Sequence, residues 1–491
     1  MKKIITKHFG KKIIAVSACL FIGFSAVAQE KEQKVIVLPG NPAPEEDVII
    51  LSVDDAVDYS VEHSLTLSNS QIDLELAKWK SYVAWNTFLP TVNLTGTMAR
   101  ANDITSSLQS ANSMAPIMEK LGIPYSATKE TESLHWSAMG NLSVSFNFSV
   151  AMVQSMRANI EGYESGKITW EQAVKNNAIN VKKTFYQVLL AQEKLAISKA
   201  NLINAKNRMD QAAVNFKNGY IPEMQYLQSQ VQYLNQVPSV EQEEITCELA
   251  VKGLLNMIGM PLDTQVKLVG EINPSFVDAN LDEQELVERA LANNLSLQSL
   301  RQQIKILKIN KSAADLGTYI PSIAIAWNGQ PTISNALEND WANDKNWSDR
   351  GTLSLTLAWN ITNMLPWSSS RTQAKELKAN IDKLENTLQN TEEQMRLGVI
   401  KAVSTLQQSR KDIASSERNV ELAEKSYALT WQAYRNGTTE YLSLADTESQ
   451  LKSAKLGLAN AKYNYLISLM DLENTINGSI EKESTSKTGD K

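Results

Sequence analysis

Few side chains in this sequence have the type and spacing that chemistry requires. Its 491 residues include three histidines and two cysteines, few for a metal or thiol enzyme. His63 and His135 have no Cys or His at the spacing of a zinc site, so each reads as a structural or exposed residue. The stretch GYESGKI, Gly162 to Ile168, glances at a phosphate-binding loop. Its spacing is short, Ile168 replaces the required Ser or Thr, and no suitable strand precedes it. The carboxylates scatter along helical runs as solvated faces do. A formal charge of −6 gives no electrostatic reason to expect nucleic acid. We expect no catalysis, no cofactor and no metal.

The elements that would carry a function begin after an export signal. Residues 1–28 place five lysines before an apolar stretch from Ile13 and end on Ala26-Val27-Ala28, the form of a secretory signal peptide. VSAC, Val16 to Cys19, resembles a lipoprotein box, which makes lipidation of Cys19 the rival reading. That cut would follow a short apolar core and leave apolar LFIGFSAVA behind it. Cleavage after Ala28 removes His8 and Cys19 and leaves Cys247 alone, so no intramolecular disulfide is expected. No later stretch reaches the roughly 18 apolar residues of a spanning helix. A membrane-embedded exported chain would therefore use strands closed into a barrel.

Such strands are legible. LSLTLAWNI runs from Leu353 to Ile361, with Leu353, Leu355, Leu357, Trp359 and Ile361 on one side and polar or small residues on the other. A period of two marks a strand with one apolar and one polar face. LSVSFNFSV, Leu142 to Val150, repeats the pattern. The duplication reaches further: LSVDDAVDYSVEHSLTL from Leu51 has a counterpart in LDEQELVERALANNLSL from Leu281, and Leu65 and Leu67 fall on Leu295 and Leu297 at the same shift. Each copy runs on as helix and stops at a hydrophobic-proline pair, Leu89-Pro90 and Ile320-Pro321. Proline suits the first residue of a strand, where no ladder N–H is demanded. TVNLTG and SIAIAWNG follow, then polar irregular stretches over 101–132 and 330–350. Each half reads helix, strand, long loop, strand, helix.

Four strands cannot close a transmembrane barrel, for which about eight is the minimum. Several chains would have to share one. Trp136, Trp327, Trp359 and Trp367 lie near strand ends, where aromatic girdles form, although ordinary half-buried tryptophans look the same in sequence.

The helical runs carry a heptad. Val174, Val181, Val188, Leu195, Leu202, Met209 and Phe216 form an unbroken ladder, flanked by small Thr184, Ala191, Ser198, Ala205 and Ala212. The ladder returns in the second half as Val399, Leu406, Ile413, Val420, Tyr427 and Tyr434. A strict heptad imposes a left-handed supercoil, and small residues let backbones approach. Both ladders stop at Asn-Gly, Asn218-Gly219 and Asn436-Gly437, the signature of a helix C-cap and turn. The return helices carry Leu444, Leu451, Leu458, Tyr465 and Leu472, matched at the ladder's own offset by Tyr226, Tyr233, Val240, Cys247 and Leu254. Cys247 is thus expected in a seam. A helix from about Met152 to Phe216 extends on the order of 100 Å. Its narrow apolar stripe suits a stave in a multi-helix tube.

Taken over residues 51–477, the chain resembles the TolC family of outer-membrane efflux proteins. The resemblance rests on the duplicated helix–strand–strand–helix order, the proline strand starts and the paired Asn-Gly turns. The segment from Tyr434 to Leu472, YRNGTTEYLSLAD continuing to LANAKYNYLISLMDL, resembles the family most closely. The resemblance implies a mainly helical fold with β: a homotrimer sharing one twelve-stranded barrel in outer-membrane lipid, continued by a long periplasmic α-helical barrel. It implies passive conduction, with a periplasmic adaptor protein and an inner-membrane pump docking at the helical turns Asn218, Gly219, Asn436 and Gly437. It also implies a gate at the tip. Tyr434 matches the family's latch tyrosine and Asp446 the inner of two ringed aspartates. Ser443 stands where the other aspartate would be and Thr439 where a latch arginine would be, so half of that gate is missing. Read by the residues alone, Asp446 is a solvated carboxylate near a helix start and Tyr434 a last heptad rung.

The expected organisation is a signal peptide over 1–28 and a periplasmic segment over 29–50. A first repeat over 51–270 has strands near 90–100 and 135–150 and a helical hairpin over 151–258. A second over 271–477 has strands near 321–329 and 351–361 and a hairpin over 367–476, before a polar tail over 478–491. The competing reading is a soluble periplasmic coiled-coil interaction or adaptor protein without a pore. It shares the signal and the heptads but leaves the four amphipathic strands and their prolines without a role.

Overall fold

Capping and periodicity decide where each helix begins. The computed structural model describes residues 49–480 apart from 275 and 278–280, and the expected signal peptide, nearly all of the 29–50 segment and most of the polar tail lie outside the described residues. Strand β1 (Ile49–Leu51) leads to α1 (Val53–His63) and α2 (Leu65–Tyr82). Ser52 starts α1 through a capping box, its hydroxyl accepting from the Asp55 N–H and its own N–H donating to the Asp55 carboxylate, both at 3.2 Å. After a 3₁₀ turn come β2 (Thr91–Arg100), the short helices α3 (Thr105–Ala111) and α4 (Ala115–Lys120), and β3 (Trp136–Phe148). Then α5 runs 68 residues, Val150–Lys217, and returns as α6 (Glu223–Ile258). Strand β4 (Val266–Leu268) pairs with β1.

The second half repeats the order with α7 (Glu283–Asn293), α8 (Leu295–Tyr319), β5 (Ser322–Gly329), β6 (Pro331–Ser334), β7 (Trp347–Asp349), β8 (Thr352–Ala358), α9 (Ser369–Arg435) and α10 (Tyr441–Ile476). Asp282, the counterpart of Ser52, caps α7 by accepting from the Gln284 N–H at 3.0 Å. The repeat thus keeps the device as well as the pattern. Helix ends correspond too: α6 stops at Gly259 and α10 at Asn477, both left-handed with φ +82° and +55°. Only glycine fits the first position, because a Cβ there would lie 2.3 Å from the His63 carbonyl oxygen.

Two equivalent cores sit where the short helices lean on the middles of the long ones. One gathers Ala56, Val181, Phe185, Val188, Leu254 and Ile258; the other gathers Leu286, Val399, Leu406, Tyr465, Leu472 and Ile476. Val181 and Val399, like Leu254 and Leu472, are equivalent rungs of the two halves. Toward the strands the helices in contact are α2, α5, α8 and α9; toward the turns they are the pairs α5·α6 and α9·α10. Four helices therefore run abreast at both levels.

The sheet is antiparallel in the order β2-β3-β5-β8, so β3 and β5 join the two halves. Its register sorts side chains into rows. Val92, Val144, Trp327 and Leu353 share one row and one face, as do Phe146, Ile325 and Leu355. Thr91, Ser145, Ala326 and Ser354 share a row on the other face, as do Asn93, Ser143, Asn328 and Thr352. Several features differ from the sequence reading: the stretch 101–132 holds the short helices α3 and α4, and β1 pairs with β4 apart from the main sheet. The stretch 330–350 contains β6 and β7, which extend the sheet beside the start of β3 and enclose a small core of Ala138, Ile333 and Ala336. Strand β8 ends at Ala358, since Asn360 turns the chain into a 3₁₀ segment and its carbonyl accepts from the Asn363 N–H at 3.1 Å. Trp359 and Ile361 thus lie beyond the strand.

Candidate functional site

The far ends of α5 and α9 use one local device. Asn218 and Asn436 cap the helices, and Gly219 and Gly437 follow at φ +75° and +70°. The Gly219 N–H donates to the Phe216 carbonyl at 2.9 Å and the Tyr220 N–H to the Asn215 carbonyl at 2.8 Å. Gly437 and Thr438 repeat this to Tyr434 and Ala433, both at 3.0 Å. This is the Schellman pairing. A Cβ at either glycine would meet nothing within 4 Å, so backbone handedness and not crowding demands glycine.

Past the second turn, Ser443 and Asp446 lie one turn apart on α10 and are both exposed. They occupy the side of the helix opposite buried Tyr441, Leu444 and Glu448. Thr439 is half-buried in the turn itself. Tyr434 is half-buried against Trp431 and edge-on to Tyr441, both with ring centroids 6.2 Å apart. Burial pushes its hydroxyl above the ordinary tyrosine value. Of the four gate candidates, Tyr434 packs into the seam, while Asp446 and Ser443 face away from it.

Next to Tyr434 lies a pair that sequence reasoning missed. Arg208 of α5 donates to the Glu448 carboxylate of α10, and their side chains are only 7% and 8% exposed. Burial opposes the Arg208 charge, but the Glu448 carboxylate outweighs it and holds the guanidinium above its ordinary value. Tyr427, Tyr434 and Tyr441 surround the pair, and burial raises all three phenols. Among the described residues the second oxygen of Glu448 has no hydrogen-bond partner, while the Tyr441 hydroxyl lies close enough to Arg208 to interact with it. The signal was present: Arg208 lies between Ala205 and Ala212 on the small-residue stripe, and Glu448 between Leu444 and Leu451 on the return seam. A charge at a seam position calls for an opposite charge. Cys247 is buried in its seam, which pushes its thiol up.

At the other end, the apolar rows of the sheet are bare. Leu94, Leu353 and Leu355 are 75%, 74% and 74% exposed, values that large side chains on a sheet face turned to water rarely reach together. Among the described residues, neither β2 nor β8 has a neighbour on its outer side. Beneath them a groove of about 910 Å³ opens between Phe148, Met152, Ile320 and Trp359.

Residues 57–255 and 286–478 match a family described as outer membrane efflux protein. No curated protein matches the chain by sequence. Among solved structures, the fold is similar to the CmeC outer membrane channel of Campylobacter jejuni, at a TM-score of 0.70 and 14% identity over 89% of each chain. It is similar to the outer membrane protein VceC of Vibrio cholerae, at 0.66 and 13% identity over 87% of this chain and 96% of that one. It also resembles the open state of the MtrE outer membrane channel of Neisseria gonorrhoeae, at 0.61 and 15% identity over 87% and 89%.

Proposed function

The chain belongs to the outer membrane efflux protein family, and we propose that three copies of it enclose one passive duct from the periplasm across the outer membrane. The observation that carries this reading is the sheet: four strands, apolar and bare on one face, polar on the other, and open at both edges. Ten residues of β2 extend about 33 Å, and a tilt near 40° reduces this to about 25 Å, the height of a barrel's apolar band. Lipid covers the apolar face, water fills the polar side, and pairing of β8 with β2 of the next copy removes every edge. Exposed Leu227, Val231, Leu234, Ile245 and Leu249 of α6 form a stripe that a neighbouring helix pair would cover in the same assembly. A pore-less coiled-coil protein in water would have to leave the sheet face bare.

Energy and cargo come from partners in this reading. The Asn-Gly turns, with Tyr220 and Met224 exposed beside Gly219, suit docking of a periplasmic adaptor and, through it, an inner-membrane pump. The tip also needs closure. The Arg208–Glu448 pair ties the first hairpin to the second there, and Asp446 would form a three-fold ring that attracts cations. The test is the native mass of protein extracted from purified outer membranes in mild detergent, followed by conductance in planar bilayers. A trimer that conducts supports the duct. A soluble monomer or dimer would replace it with the interaction protein.

A further inference from the structure

The polar face of the sheet is free of ionisable groups. Following its rows, β2 contributes Thr91, Asn93 and Thr95, β3 contributes Ser143 and Ser145, and β5 contributes Asn328, with Ser, Thr and Ala continuing into β8. Met139 is the largest apolar side chain on that face. Among the four long strands Arg100 is the one charged residue. It stands at the last position of β2, in register with Trp136 on the apolar face, and its guanidinium is tied to Glu132 at 2.7 Å. The wall is therefore hydroxyls, amides and methyls from one end to the other.

We propose that the outer-membrane section of this duct is indifferent to the charge of its cargo. The proposal rests on the duct reading and extends it to substrate class. Rings of charged side chains are what give a pore its preference for cations or anions, and focused fields from such groups raise the local concentration of one sign. A Ser/Thr/Asn wall hydrates without doing either. Cationic, anionic and zwitterionic solutes then cross this section alike, and any sorting by charge occurs elsewhere in the duct. Cargo is limited here by size alone.

The test uses the full-length protein in proteoliposomes with Cys247→Ser as background, since that thiol is buried in a helical seam. Ser354→Cys places a thiol on the polar face and Leu355→Cys one on the apolar face. Each is reacted with a trimethylammonium and a sulfonate methanethiosulfonate reagent, and rates are divided by those of a free small thiol. The expected result is a cation-to-anion ratio within about threefold of one for Ser354→Cys. Adding Asn328→Glu or Asn328→Lys, one row away, should move that ratio at least about fivefold in opposite directions. A Ser354→Cys ratio beyond about tenfold either way, or no response to the Asn328 changes, would overturn the proposal. Equal reactivity of Leu355→Cys and Ser354→Cys would instead show that the apolar face is wetted as well and not covered by lipid, and the duct reading would fall first.

Discussion

Glu448→Gln removes a charge from the seam between the two hairpins while keeping its shape. The Arg208 guanidinium, which cannot shed its proton, is then left buried without a counterion. Removing one partner of a buried pair costs about 3–5 kcal/mol, in line with the roughly 4 kcal/mol of two charges 4 Å apart at an effective dielectric of about 20. Glutamine keeps one hydrogen bond to Arg208, which leaves about 2–3 kcal/mol. Because α5 and α10 belong to different hairpins, the loss falls on the contact between them and not on either hairpin. If closure of the tip depends on that contact, the open-to-closed ratio rises by about 30- to 150-fold. Single-channel recording in planar bilayers reads this as time spent in the high-conductance state. Arg208→Met with Glu448→Leu removes both charges, and such a replacement is often neutral or stabilising, so closure should return. An unchanged open probability in Glu448→Gln would refute the reasoning. An equally leaky double variant would assign the effect to packing and not to charge.

Asp446→Ala should raise single-channel conductance or weaken block by multivalent cations; unchanged values would remove Asp446 from the gate. Gly437→Ala forces an L-residue to φ +70° and should cost about 1–2 kcal/mol, whereas Gly259→Ala adds a 2.3 Å clash with the His63 carbonyl and should cost well above that. Thermal dissociation of the detergent-solubilised assembly should order them, and equal shifts would mean that His63 yields. The raised phenols of Tyr427, Tyr434 and Tyr441 bind their protons more tightly folded than unfolded. Their contribution is then complete below about pH 10, the ordinary tyrosine value, and is lost as pH rises through the folded values. Protease cleavage at the tip should accordingly increase only above that pH, and cleavage beginning near neutrality would contradict the linkage.

Much of the site and fold is legible without tertiary structure. The Asn-Gly turns can be read because a left-handed residue after the last rung is a local demand that one glycine meets. The seam position of Cys247 follows from counting sevens. Arg208 and Glu448 are legible only as two misplaced charges, far apart in the chain, with no rule of spacing to join them. The small strands β6 and β7 are hidden for another reason. Their three or four residues are too few to show a period and exist because β3 is long enough to offer them an edge.

Taken alone, the sequence determines the repeat, the period-two strands, the period-seven helices and the caps that stop them, since each depends on residues within a turn or two of one another. It also determines that strands entering a membrane would have to share a barrel with other chains, because four cannot close. What the tertiary structure decides is which strand lies beside which. The pairing of β3 with β5 across the halves aligns Val144 with Trp327 and Ser145 with Ala326, turning four separate alternations into one apolar and one uncharged polar surface. A slip of one residue would have mixed the faces. Which strands pair over such separations is decided by tertiary contact, and no local pattern contains it.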